Sequence, residues 1–111
     1  MMMQSSPQVP LSVLQGVYCN HEYGTLTLYE AGNIFLFEMA SNDTKPGQPV
    51  LEGVAGPISD LEFGVFEIGL LGYKDYHNPM MRFTFVLADD GHSAVGFRVD
   101  VEGKEEWFSR A

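Results

Sequence analysis

One stretch of this sequence, residues 16–39, constrains the fold more than any other. Leu26 and Leu28 alternate with polar residues, which is the period-two pattern of a strand with one buried face. Gly32-Asn33 tolerates positive φ and lets the chain reverse into a second apolar run, so the stretch predicts a β-hairpin. A hairpin alone is only marginally stable in water. The rest of the chain must therefore supply strands that cover its apolar face.

The last third of the chain predicts three more antiparallel strands joined by tight turns. Apolar and polar residues alternate in each strand, and Asp90-Gly91 and Gly103 mark the turns. With the hairpin, about eight short strands predict an up-and-down barrel or a strongly curled sheet, and closure would remove exposed strand edges. The residues predicted to face the interior are Leu26, Leu28, Phe83, Phe85, Val95, Phe97 and Val99.

Proline, glycine and loop-forming residues set the limits of the elements predicted in the remaining sequence. Residues 1–8 are predicted to be a disordered segment, and residues 9–111 a single domain. Pro10 predicts a short helical turn that ends before Gly16. The other predicted elements are a strand over 17–20, a loop over 41–49, a strand over 50–54, a bent strand over 58–71 and a loop over 73–79.

Several short motifs of this pattern occur together in one known domain. They are Leu14-Gln15-Gly16-Val17-Tyr18, the run from Tyr23 to Leu28 with its Gly-Asn turn, Phe83-Thr84-Phe85, Asp90-Gly91, the run from Val95 to Val99, and Phe108-Ser109-Arg110. The chain resembles the lipocalin-like C-terminal domain of β-lactamase-related, penicillin-binding-protein-like serine hydrolases over about residues 11–110. The resemblance implies an all-β, antiparallel, lipocalin-like barrel of about eight strands with a short N-terminal helical turn.

The catalytic part of that family has no counterpart here. The sequence contains no Ser-x-x-Lys, no Ser-Asp-Asn and no Lys-Thr-Gly motif. In the family this domain is an accessory to the hydrolase domain and shapes access to it. The resemblance therefore implies a barrel without a hydrolase mechanism, and a partner that includes a β-lactamase-like hydrolase among its candidates.

Charge and cysteine content limit the partners and the compartment. The formal net charge of −9 predicts no nucleic-acid partner and no anionic membrane partner, because both would be repelled. A single cysteine, Cys19, gives no intrachain disulfide, and no signal peptide or apolar membrane span is recognised. We therefore expect a cytoplasmic protein. Cys19 is predicted to be a buried, unreactive thiol.

No metal or cofactor is predicted. His21, His77 and His92 are scattered and lack ligand spacing. No glycine-rich phosphate loop opens a helix, and no pair of carboxylates has a spacing that identifies an acid and a base.

A set of candidate ligand-binding residues follows from the rarity of cations and from the aromatic loop. Arg98 and Arg82 are two of only six cationic residues. Either they form surface ion pairs or they point into a cavity, where an arginine can hold a carboxylate or polarise a carbonyl. The loop with Tyr73, Tyr76 and His77 is either a gate at the barrel mouth or a solvated loop anchored by its aromatics. The interior candidates are Phe85 and Phe97, and Met80-Met81 is either an adaptable apolar lip or ordinary core.

Trp107 is the candidate interface residue. If Phe108 points into the barrel, the period of two directs Trp107 outward, where its charged neighbours form a polar rim. This arrangement predicts a homodimer or a docking surface. The alternative is that Trp107 packs under the N-terminal segment around residues 11–14.

Two functions from different classes fit these observations. The first is a non-catalytic barrel that binds a small apolar molecule or a protein partner. The second is a small barrel enzyme of cyclase or isomerase type, which orients a reactive apolar substrate without a nucleophile.

Overall fold

The computed structural model describes residues 9–43, 45, 48, 50–69, 72–101 and 103–111, so the predicted disorder of residues 1–8 lies outside the described residues. One short helix and nine β-strands form within this part of the chain. They are α1 (Leu11–Leu14), β1 (Gly16–Asn20), β2 (Gly24–Ala31), β3 (Ile34–Ala40), β4 (Leu51–Pro57), β5 (Glu62–Ile68), β6 (Tyr73–Lys74), β7 (Met81–Leu87), β8 (Ala94–Val101) and β9 (Lys104–Arg110).

Eight of these strands close into an antiparallel barrel. Their order is β4-β3-β2-β1-β9-β8-β7-β5, and β4 pairs with β5 to complete the ring. The first and last strands meet at two residue pairs, Tyr18 with Arg110 and Cys19 with Ser109. The two-residue strand β6 is an addition on β5, at Glu67 and Ile68. The prediction of an up-and-down antiparallel barrel of about eight strands with a short N-terminal helical turn is confirmed.

The barrel has two different ends, named here for what covers them. At the helix end lie α1 and the β2–β3, β4–β5 and β7–β8 connections. At the loop end lie the β1–β2, β3–β4, β5–β7 and β8–β9 connections. Because the strands alternate in direction, the helix end collects three connections and α1, the loop end collects four connections, and a side chain near a strand terminus belongs to one end only.

Phenylalanine fills most of the interior. Of the eight phenylalanines in the chain, seven are buried, while Phe66 is half-buried. Their rings meet edge to face or tilted, as in the contacts of Phe85 with Phe63 (5.7 Å between ring centroids) and with Phe97 (5.3 Å). Such pairs add about 0.5–1.5 kcal/mol each to the burial of their area. The buried apolar residues are Leu14, Tyr18, Leu26, Leu28, Phe35, Phe37, Ala55, Phe63, Val65, Ile68, Phe83, Phe85, Ala94, Phe97, Val99 and Phe108.

Helix α1 covers the helix end of this core. Leu14 is fully buried, and the Tyr18 hydroxyl donates a hydrogen bond to the Leu14 carbonyl oxygen at 2.5 Å. Arg110 Nη1 donates to the Val13 carbonyl oxygen at 3.2 Å and lies 3.4 Å from the Tyr18 hydroxyl. The guanidinium also lies over the Tyr18 ring, 5.4 Å from its centroid. Strand β9 therefore holds α1 against β1.

Five predictions about side-chain orientation and strand limits are wrong. Val95 is 44% exposed, because the β7–β8 pairing shifts register between Val86 and Leu87 and turns Ala94 inward instead. Cys19 is exposed, because Tyr18 is the inward residue of that part of β1.

The other three concern the limits of elements. The strand predicted over 50–54 runs over Leu51–Pro57, and the bent strand predicted over 58–71 is limited to β5; residues 70 and 71 lie outside the described residues. The loop predicted over 73–79 begins only after β6, because Tyr73 and Lys74 pair with β5.

Candidate functional site

An apolar cavity of about 150 Å³ lies inside the barrel at the loop end. Its walls come from seven strands of the ring together with residues of two connections. Because the side chains alternate along each strand, the residues nearest the loop end aim at the same space. The lining residues are Tyr23, Leu26, Phe37, Met39, Leu51, Ile68, Met80, Met81, Phe83, Val99 and Phe108.

Methionines form the outer part of this lining. Met39 ends the inward row of β3, and Met81 begins β7 on the other side of the ring. Met80 precedes β7 and is 39% exposed. An unbranched thioether side chain adapts to the shape of what it contacts. Of the two interpretations of Met80-Met81, the apolar lip is the one that matches this position.

Aromatic rings form the floor of the cavity. Phe83 and Phe108 line it and both lie against Phe97, at 4.8 Å and 5.0 Å between centroids. Phe97 in turn contacts Phe85 and Tyr18 towards the helix end. The two interior candidates, Phe85 and Phe97, therefore lie beneath the floor and do not line the cavity. Side chains fill the barrel towards the helix end, and the cavity lies towards the loop end.

The two candidate arginines lie on the outer wall. Arg82 Nη1 is 3.5 Å from Glu62 Oε2, and Arg98 Nε is 3.9 Å from Glu105 Oε2. About half of each arginine side chain is exposed, so these are surface ion pairs of small energetic value. The structure does not bring either guanidinium to the cavity.

The loop that follows β6 bonds mainly to itself and to β5. Asp75 Oδ1 accepts hydrogen bonds from the backbone amides of His77 (2.9 Å) and Asn78 (3.2 Å), which hold the pKa of its carboxyl below the usual value. The Tyr73 hydroxyl donates to the Asn78 carbonyl oxygen, and Tyr73 packs partly against the core.

Tyr76 is an exposed residue of this loop. It is 64% exposed, and its hydroxyl donates to Glu67 Oε2, a contact that raises the pKa of the phenol. His77 is exposed as well. Tyr73 in β6 and Tyr76 and His77 in the loop after it thus lie in one connection at the loop end, but none of them lines the cavity.

Larger depressions lie elsewhere on the molecule. One, of about 420 Å³, runs over the outer faces of β3, β4 and β5 and includes Glu38, Glu52 and Glu67. Glu38 and Glu52 are direct cross-strand partners, an arrangement of like charges that disfavours an anionic ligand.

A second depression, of about 540 Å³, lies between the start of α1 and the neighbouring turns. A third, of about 220 Å³, lies at the loop end and is lined by Met80, Met81 and Arg82 among others. We take the loop-end cavity as the candidate site because its lining consists mostly of inward-facing side chains of the barrel.

Trp107 lies on the outer wall, as the period of two predicts. It is 39% exposed, while its neighbour Phe108 is 3% exposed. The indole covers Gly96 of β8, where a Cβ atom would come within 2.4 Å of the ring, and Nε1 donates to Ser109 Oγ at 2.9 Å. The N-terminal alternative does not describe this position, since α1 instead places Leu14 in the core. The predicted interface stays a prediction.

Lys104, a cation close to the rim residue Tyr23, already has a partner. Lys104 Nζ lies 3.2 Å from Glu106 Oε2, and this contact raises the pKa of the ammonium group, with smaller contributions from Glu22 and Tyr23. Over the residues that the structure describes, no three His, Cys, Asp or Glu side chains are arranged as metal ligands. The described helix is too short to span a membrane.

Sequence reasoning missed five of the eleven lining residues, which are Tyr23, Phe37, Met39, Leu51 and Ile68. Tyr23, Met39 and Leu51 carried no local signal, because each is an ordinary residue at a strand end. The available signal was that Met39 and Met80-Met81 fall at ends of strands that an up-and-down topology brings to the same end of a barrel. Comparisons with protein-family models, with curated proteins and with solved structures find no match to this chain. The resemblance to hydrolase accessory domains therefore stays a prediction.

Proposed function

We propose that this chain is a non-catalytic binding module that holds a small apolar molecule, or the apolar end of a larger one, in the loop-end cavity. The observation that carries the proposal is an apolar space of about 150 Å³ inside an otherwise filled barrel. Small-molecule sites are concave and mostly apolar, and eight-stranded barrels lie at the size where an interior either fills with side chains or holds one ligand. In this barrel, side chains fill the helix end, and the cavity at the loop end leaves room for one small ligand.

The enzyme alternative receives less support. A cyclase or isomerase that stabilises a developing enolate needs a hydrogen-bond donor aimed at the substrate. Among the described residues that line the cavity, Tyr23 is the only one with a polar side-chain atom, and Tyr23 lies at the rim in the β1–β2 connection. Arg82, Arg98 and His77 lie outside the cavity. Catalysis by orientation alone would still be compatible with the lining.

We also propose a cytoplasmic location and a protein partner. The cytoplasmic assignment is supported by the single cysteine, which permits no intrachain disulfide. The resemblance to hydrolase accessory domains supports a partner of the β-lactamase-like class, and the exposed Trp107 supports an outer surface for such a partner or for a second copy. Neither proposal depends on the cavity.

The binding proposal is tested by filling the cavity. Leu51 lines it from the first residue of β4, so Leu51→Phe adds bulk to the cavity at a half-buried position. Leu36→Phe is the matched control, because Leu36 lies on the outer face of β3 and is 44% exposed. We expect indole to raise the melting temperature of the wild type and of Leu36→Phe by several degrees. A ligand at 100 times its Kd stabilises a protein by about 2.7 kcal/mol.

The filled variant should keep its fold and lose the response to indole. Far-ultraviolet circular dichroism checks the fold, and native mass spectrometry against apolar metabolites extends the test beyond one probe. If indole stabilises Leu51→Phe as much as the wild type, binding occurs elsewhere. If no apolar probe shifts the melting temperature of the wild type, the proposed function is wrong.

A further inference from the structure

The methionines of this chain are distributed unevenly. The sequence has six, of which Met1–Met3 begin it, and all of the others, Met39, Met80 and Met81, line the loop-end cavity. The buried residues towards the helix end are instead aromatic or aliphatic hydrocarbons such as Leu14, Phe35 and Phe63. The polarizable, conformationally adaptable side chains are thus confined to the space that the proposed ligand would occupy.

Thioethers and aromatic rings attract each other. A methionine sulfur contacts a ring favourably at about 5 Å, often at the ring edge. The cavity floor already supplies rings, those of Phe37, Phe83 and Phe108, which offer edge and face contacts to another ring. A flat aromatic ligand would therefore meet rings below and thioethers around the mouth.

The size of the space and its surroundings narrow the ligand further. A dry cavity of about 150 Å³ lined by Leu, Ile and Phe is known to hold one benzene molecule. The walls of the present cavity have no charged side chain among the described residues, and Lys104 near the mouth is paired with Glu106. A charged group buried there would lose its hydration without gaining a partner, which is strongly unfavourable.

We infer that the ligand of this module is uncharged where it enters the barrel and inserts a single aromatic ring between the thioethers of Met39, Met80 and Met81 and the phenylalanine floor. This inference rests on the proposed binding function and adds the ligand class to it. Saturated apolar molecules of the same size would enter the cavity but would gain nothing from the sulfur atoms.

The test compares an aromatic with a saturated ring. Benzene and cyclohexane are titrated into protein labelled with ¹³C at the methionine methyl groups, and the Kd is read from the methyl signals of Met39, Met80 and Met81. Benzoate is the charged control. Transfer from water favours the more hydrophobic cyclohexane, so the sulfur contribution is read as the change in the ratio of the benzene Kd to the cyclohexane Kd between the wild type and a variant without the Met80 and Met81 thioethers. We expect this ratio to be about two- to ten-fold lower in the wild type, and benzoate to bind far more weakly than benzene.

Two variants connect the preference to sulfur. The double variant Met80→Leu/Met81→Leu keeps side-chain volume, and the methyl signal of Met39 still reports binding. We expect the Kd of benzene to rise in this variant while the Kd of cyclohexane stays unchanged. Leu51→Met adds a thioether to the lining, and we expect it to increase the preference for benzene. The second variant guards against a general loss of stability in the first, since instability cannot raise a preference.

The outcomes separate the inference from the proposed function. If the ratio of the benzene Kd to the cyclohexane Kd is the same in the wild type and in the double leucine variant, the aromatic preference and the role of the thioethers are overturned, and the binding module is left intact. Benzoate binding as tightly as benzene would overturn the requirement for an uncharged ligand. Binding of neither ring would overturn the proposed function itself.

Discussion

At the helix end, Tyr18 and Arg110 join three parts of the chain through polar contacts beside a buried ring. Tyr18 is fully buried, and burial raises the pKa of its phenol, while the Arg110 guanidinium acts in the opposite direction with a smaller effect. The hydroxyl donates to the Leu14 carbonyl, so the neutral phenol is the form that fits this site. The resemblance motifs around residues 14–18 and 108–110 therefore coincide with a contact that closes the barrel.

This contact predicts a change in alkaline stability. Because the pKa of Tyr18 is raised on folding, the unfolded chain loses the proton first, so the free energy of unfolding falls as the pH rises above about 10 and through the folded-state pKa. Tyr18→Phe removes this contribution, so its stability should decline less steeply above about pH 10. It should also be about 1–3 kcal/mol less stable at neutral pH, because the Leu14 carbonyl loses its donor.

Urea unfolding between about pH 8 and 11 measures both effects, and the exposed Tyr29 provides the control variant Tyr29→Phe. Parallel pH profiles for the wild type and Tyr18→Phe would show that the Tyr18 proton is not linked to folding.

Two glycines of β4 offer a matched test of packing. A Cβ on Gly53 would come within 2.4 Å of the Phe37 ring and 2.7 Å of the Glu67 carbonyl oxygen, whereas a Cβ on Gly56 would find its nearest neighbour, Phe66, at 3.6 Å. We expect Gly53→Ala to destabilise the protein by about 1–3 kcal/mol, as overpacking does. Gly56→Ala should change stability by less than about 1 kcal/mol. Chemical denaturation gives both values, and equal effects would mean that Phe37 does not need the space above Gly53.

At the scale of elements, alternation predicted most strands but not their irregularities. The apolar rows of β2 and β7 could be read directly, because each strand has one buried face. Val95 defeated the same reasoning, because a bulge at the start of β8 reverses the side that faces inward. The residues of that segment do not by themselves specify a bulge. The register of β8 is set by its pairing with β7, which is a tertiary contact.

Strand β9 carries the prediction about assembly. Trp107 is outward and 39% exposed, and the open part of its indole is available to a second copy. We predict a dimer for the wild type and a monomer for Trp107→Ala by size-exclusion chromatography with light scattering. The control is Tyr29→Ala, since Tyr29 is 47% exposed on the outer face of β2. A monomeric wild type at high protein concentration would exclude the interface.

At the scale of the whole molecule, the barrel combines a filled helix end with a loop end that contains a cavity. The fold class could be predicted because period-two rows and turn residues are local signals. Much of the site could not, because Tyr23, Met39 and Leu51 meet the rest of the lining only after β4 pairs with β5 and the ring closes. The residues singled out for their charge, Arg82 and Arg98 among them, lie on the outer wall. The charged residues of this protein therefore identified its outer surface and not the lining of its cavity.

Xenon binding tests most directly whether the loop end of the barrel contains an accessible apolar cavity. Crystals of the protein equilibrated under xenon gas should show one xenon atom inside the barrel, in contact with Phe37, Phe83 and Met81. Crystals of Leu51→Phe should show none at that position. A wild-type structure with no xenon inside the barrel, or with side chains filling the space between β3 and β7, would contradict the account.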